Sequence, residues 1–193
     1  MEFTKVPSDL LESLQLNAGI IVDAFTPATG VIGNILGATT GGITFNSNPT
    51  YVDFGTDIDN VPANTWQMKR VSYYDPVISG TFASLSSPTR VKQLIGAATV
   101  DGVDTTKIVP NHTLTESDFA DRWWIGDYSG KNTGAAKAGC LAIHIINALN
   151  TTGFQMTSTK DGKGQFPFEY HGHYDYDDIE TAPFEVYLKA GTT

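Results

Sequence analysis

Positive charge is scarce in this 193-residue chain, where 12 Lys and Arg stand against 21 Asp and Glu for a formal net charge of −9. A surface of that sign argues against tight binding to a phosphate backbone, which Lys and Arg must neutralise. Charged residues of both signs make up only 17% of the chain, which leaves much surface neutral or covered by partners. Cysteine occurs once, at Cys140, so no internal disulfide can form. No apolar run is long enough to cross a bilayer, and no stretch reads as a secretory signal. Folding in a cytoplasm is the expectation. The phosphate loops Gly-x-x-x-x-Gly-Lys and Gly-x-Gly-x-x-Gly are absent, as is the Gly-x-Ser-x-Gly elbow. Cys140 sits in an apolar run, where a thiol is usually inert packing. Some carboxylate pair can always be found among so many acids, so sugar hydrolysis has no specific signal. Neither an enzyme nor a cofactor is expected.

What is present is alternation. Across 165–177 the even positions Phe166, Phe168, Tyr170, Tyr174 and Tyr176 are aromatic, interrupted only by Gly172. The odd positions include Glu169, His171, His173, Asp175 and Asp177. Period two predicts a half-buried strand with one aromatic and one polar face. Pro167 cannot donate to a ladder and predicts a sheet edge or bulge, and Gly172 predicts a bend.

The rest of the chain reads as one domain, 1–193, with enough length for a core. Residues 1–16 predict a short terminal arm or helix with a stripe of Leu10, Leu11 and Leu14. Docking on its own body and packing on a neighbouring subunit are both open. Strands are expected at 18–25, across 66–85 with a bend at Asp75 and Pro76, at 139–148 as a doubly buried central strand, and at 183–189. Asp161 and Gly162 predict a hairpin turn. Ser87 as N-cap, Pro88 at the first position, Val91, Leu94, Ile95 and Ala98 in helical spacing, and Gly96 as a stop predict the main helix over 88–96. The glycine-rich stretch 30–65 predicts a long projecting loop or hairpin, with Phe45, Tyr51 and Phe54 as its anchors and Asp57 and Asp59 near its end. Asp57-x-Asp59 opens like a calcium loop, but Pro62 and Met68 stand where that loop needs Gly and Glu.

Two constellations carry chemistry on paper. His171, His173 and Asp175, with Asp177, would share one strand face, and neighbours there could ligate one metal ion. The competing reading is an exposed polar face. Trp123 and Trp124 read as a core plug, as an aromatic anchor in a protein interface, or as a sugar-stacking platform.

Taken in order, several stretches resemble the major tail (tail tube) proteins of long non-contractile-tailed bacteriophages. They are Gly37-Ala38-Thr39-Thr40-Gly41-Gly42-Ile43, Asp53-Phe54-Gly55-Thr56-Asp57-Ile58-Asp59-Asn60, Gly80-Thr81-Phe82, Trp123-Trp124-Ile125-Gly126-Asp127-Tyr128, and 164–174. The likeness runs from about Ala18 to Lys189. The resemblance implies a mainly β, two-sheet β-sandwich flanked by one α-helix, with a long projecting loop. It implies hexameric rings stacked into a hollow tube, joined by the loop and the terminal segments. The implied partners are further copies of the chain, a tape-measure protein in the lumen, and terminator and distal tail or baseplate proteins. Double-stranded DNA would pass through without specific binding, and no membrane is involved. The implied location is the virion tail, assembled in the host cytoplasm. The competing class is a monomeric carbohydrate-binding β-sandwich using Trp123, Trp124 or Tyr174.

Overall fold

The structure, a computed structural model, describes residues 15–128, 139–160 and 162–189. Its centre is the long apolar strand β11, Cys140–Asn150. The first part of β11 pairs antiparallel with β10 (Ala120–Tyr128) on one side and β13 (Phe184–Lys189) on the other. Its last residues, Leu149 and Asn150, pair instead with β12 (Phe166–His171). The partner changes at Ile146 and Asn147. Ile146 N–H donates to Pro183 O, His173 N–H donates to Ile146 O, and Asn147 has φ +50°. Asn tolerates that left-handed conformation better than a branched residue would. One strand thereby serves two sheets.

The first sheet has the order β1 (Gln15–Val22), β10, β11, β13. The second continues from β11 through β12 and β7 (Val77–Phe82) to β4 (Thr39–Asn46). Strands β2 (Phe25–Thr26) with β3 (Val31–Ile32), and β8 (Ala98–Val100) with β9 (Ile108–Pro110), form short separate hairpins. The protein is thus mainly β, with two sheets facing each other. Ile21, Trp124, Ile143 and Ile145 from the first meet Ile78, Phe82, Phe168 and Tyr170 from the second, in a core that also holds Leu36 and Leu94. Phe82 and Phe168 stack with centroids 4.3 Å apart. Arg122 is buried in the same layer, its guanidinium 5.2 Å from the Tyr170 ring centroid and donating to Asp121 O at 2.8 Å. Pro167 lies on β12 opposite Thr81 of β7, where β11 does not reach its other side. Strand β12 is an interior strand instead of the edge expected, and the proline sits in the gap between the Thr151–Glu169 and Thr157–Gln165 bonds, where no amide is called for.

Helix α1, Pro88–Ile95, forms where expected, with Ser87 before it and Gly96 (φ +88°) after it. It is held to the body by Asn150, which is 3% exposed. The Asn150 amide donates to Leu94 O at 2.6 Å and Gly153 O at 3.0 Å, and its oxygen accepts Glu169 N–H at 2.8 Å. A carbonyl of the last helical turn, which has no partner within the helix, is satisfied this way. A second tie is Lys92, 3.3 Å from the buried Asp118 carboxylate. Burial acts to raise that carboxyl, but bonds from Thr115 and the Lys92 charge outweigh it and hold it below the usual range.

Three further expectations need correction. The alternating strand ends at His171 instead of running to Asp177. Gly172 is packed into the sheet junction, where an added Cβ would lie 2.7 Å from Pro183 O and 2.9 Å from Pro76 Cγ. Its N–H donates to Pro76 O, and the chain leaves the ladder there. The stretch 30–65 is not one projecting excursion, because Thr39–Asn46 is the edge strand β4 of the second sheet. Strand β1 begins at Gln15 and ends at Val22, so the terminal arm expected to reach residue 16 does not extend that far. Leu10, Leu11 and Leu14 lie outside the described residues.

Asn150→Ala leaves the Leu94 carbonyl and the Glu169 amide without their partner, and should cost at least about 2 kcal/mol. Urea unfolding followed by tryptophan fluorescence checks this. A loss below about 0.5 kcal/mol, the range of an ordinary surface change, would mean the amide is not holding helix to sheet.

Candidate functional site

The part of the molecule with no core function of its own is a hairpin arm. Strands β5 (Pro49–Asp53) and β6 (Lys69–Tyr74) pair only with each other. A β-hairpin normally buries one face, which is what makes alternation useful. This one buries neither: Tyr51, Val52, Val71 and Tyr73 are all exposed. Phe54 at 60% and Trp66 at 79% extend the apolar surface into the connection between the strands. Ile58 is exposed there too. The connection is nonetheless built. Asp53 accepts Gly55 N–H at 2.9 Å and Asn64 N–H at 2.6 Å, and these bonds hold its carboxyl below the usual carboxylate range. Phe54 N–H donates to Met68 O. The base is anchored by Tyr74, whose ring meets Phe184 edge-on at 5.3 Å and whose N–H donates to Tyr174 Oη at 2.8 Å.

Of the residues singled out in sequence, Tyr51 and Phe54 are exposed on this arm, and Asp57 and Asp59 are exposed in its connecting turn. Phe45 is not on it. Its ring lies partly buried on the core, 5.7 Å from Phe184. The strand expected across 66–85 is present as β6 and β7, broken at Asp75 and Pro76, but its pattern does not show that β6 pairs with β5 to make an arm. The composition of β6 is that of any strand, and only the absence of a covering layer sets it apart.

Trp123 and Trp124 are both buried and point to opposite faces of β10. Trp124 enters the main core, and its indole N–H donates to Ala18 O at 3.0 Å. Trp123 packs with Val22, Phe25 and Ala142 on the outer side of the first sheet, stacked on His144 at 3.9 Å. Neither offers a face to a partner or a sugar.

The histidine constellation is dispersed by the turn at Gly172. His171 Nδ1 lies 2.8 Å from Asp75 Oδ1, and its Nε2 lies 3.2 Å from Glu169 Oε1. His173 Nδ1–H donates to Asn147 O at 3.0 Å. Asp175 accepts Asp177 N–H within its own turn. His171, His173 and Asp175 do not converge, and among the described residues no group of three His, Cys, Asp or Glu side chains is placed to hold a metal ion. Cys140 is half-buried, and that burial pushes its thiol up, away from reactivity.

His144 sits in a polar cluster of its own, with Asp121 Oδ2 3.0 Å from Nε2 and Glu185 Oε2 3.3 Å from Nδ1. The His144 bond comes first among the causes that hold the Asp121 carboxyl low, aided by Asn147 N–H. Glu185 is held low by the Tyr187 hydroxyl and then by His144. Carboxyls depressed by folding add stability above their ordinary values near pH 4, and that stability is lost as pH falls through the folded-state values. His144→Phe, which keeps the stack on Trp123, should therefore differ most from the parent above about pH 5, where both carboxyls are ionised. The gap in melting temperature should shrink steadily below about pH 4. A gap that is constant from neutral to acid pH would remove the cluster from this account.

Compared with known proteins, the chain matches no family model and no curated protein.

Proposed function

We propose that this chain is a structural virion protein that polymerises as stacked hexameric rings into a phage tail tube, the conduit for DNA ejection. The observation that carries the reading is the hairpin arm. Seven large apolar side chains, Tyr51, Val52, Phe54, Ile58, Trp66, Val71 and Tyr73, stand exposed on an ordered hairpin and its connection. Surfaces of that kind mark sites that a partner covers. The sheet edges add to this reading. Among the described residues β4 and β13 each pair on one side only. On β13, Val186 and Leu188 are exposed at 53% and 60%. Open edges of this kind can join between subunits in a ring. With a net charge of −9, a tube wall would let DNA slide instead of holding it. The tape-measure, terminator and baseplate contacts are part of the same proposal.

Purified protein should give rings or tubes by negative-stain microscopy. Trp66→Ser should leave stability within about 0.5 kcal/mol, as surface changes do, while sharply reducing assembly. A protein that stays monomeric at high concentration and is retained on a saccharide column would favour the carbohydrate-binding alternative and end this one.

A further inference from the structure

The arm carries cations that its own chain leaves without an ion pair. Arg70 is exposed, and its guanidinium donates only to backbone, to Gln67 O and Lys69 O at 3.0 Å each. Lys69 Nζ donates to Asn64 Oδ1 at 2.9 Å and lies 5.5 Å from the Tyr51 ring centroid. Among the described residues Arg90 pairs with Asp23, Lys92 with Asp118 and Lys107 with Asp101, while Arg122 is buried over the Tyr170 ring and Lys189 donates to the Pro27 and Ala28 carbonyls. Lys69 and Arg70 are adjacent and exposed on the apolar arm, with the opposite charge of Asp53 across the ladder from Lys69.

A surface of the opposite kind lies on the body. A cleft of about 550 Å³ is walled by Phe119, Tyr174 and Tyr176 and carries the carboxylates of Glu116, Asp175 and Asp177. Tyr176 is 93% exposed. None of the three carboxylates meets a Lys or Arg among the described residues. Carboxylates gathered beside aromatic faces suit a guanidinium or ammonium group, through charge-assisted hydrogen bonds and cation–π contact. The arm offers such groups flanked by Tyr51 and Trp66, which would cover apolar surface at the same contact.

We propose that the arm of one copy docks on a second copy, with Arg70 and Lys69 entering the cleft lined by Glu116, Asp175 and Asp177. The proposal rests on the assembly reading above and names the surface that receives the arm. Donor and acceptor are different surfaces of one chain, so the contact is heterologous and head-to-tail. Such contacts close into rings or continue as a filament, whereas a self-matching patch would stop at a dimer. The apolar residues supply most of the affinity, and the charge match selects the register and partner.

A charge exchange tests this on the full-length chain. Arg70→Glu and Asp177→Arg should each lower the extent of assembly by about tenfold or more, because like charges then face each other across the contact. The two variants mixed together should recover in alternating order, because the altered arm of one meets the altered cleft of the other and parental arm meets parental cleft. The double variant should recover to near the parent on its own. Light scattering with negative-stain counting reads the result. Both side chains are exposed, and unchanged circular dichroism and melting confirm that the variants fold. If the parent never associates, both the assembly reading and this contact fail. If the parent assembles and Arg70→Glu assembles equally well, or the double variant fails to recover, the assembly reading survives and this contact is overturned.

Discussion

Strand β11 cannot satisfy its backbone in one sheet. It is eleven residues long and apolar almost throughout, so every amide along it needs a partner away from water. The fold meets that need by dividing the strand: β10 and β13 take one part, β12 the other, and the left-handed Asn147 sets the angle between them. The sheet junction follows from this. Pro183 and Pro76 close around Gly172 because the two sheets diverge there, and a side chain at that position would meet backbone. Asn150, the last residue of the strand, then carries helix α1 into register with β12. Removing the division would leave two sheets without a common strand and a helix without its anchor.

Against that well-buried body, the β5–β6 arm follows the opposite rule. Core packing is worth about 25 cal/mol for each Å² of apolar surface removed from water, and the arm gains almost none of it from its own chain. Its order comes from the ladder, the Asp53 turn and the Tyr74 anchor instead. An element held in shape yet left uncovered has its remaining stabilisation available for a contact with another molecule. Pre-ordering also lowers the entropic cost of making that contact.

The polar residues show a similar division of labour. His144 and His171 each stand between two carboxylates, and both sites bridge neighbouring elements: His144 spans β10 and β13, while His171 reaches the corner before β7. These are ties across the sheets, made of groups that a motif search reads as chemistry. The Gly172 turn also parts His171 from His173, which distinguishes a tie from a ligand set, since ligation needs the side chains to converge.

Local pattern alone determined the parts whose cause is local. Ser87 and Pro88 start a helix, Gly96 ends it, and period two puts Phe168 and Tyr170 on a buried face whatever the partner strand is. The run 140–148 reads as a central strand because only His144 and Asn147 interrupt its apolar side chains, and β11 is indeed paired on both sides. Tertiary structure decided everything that depends on who covers whom. Trp123 and Trp66 are equally apolar in sequence, yet one is stacked on His144 and the other faces water. Phe45 reads like Phe54, but β4 lies beside β7 and brings it onto Phe184, while β5 has no layer beneath it. Periodicity reports which side chains share a face. Whether that face meets a core, a partner or water is set by the long-range pairing of strands, which no local window contains.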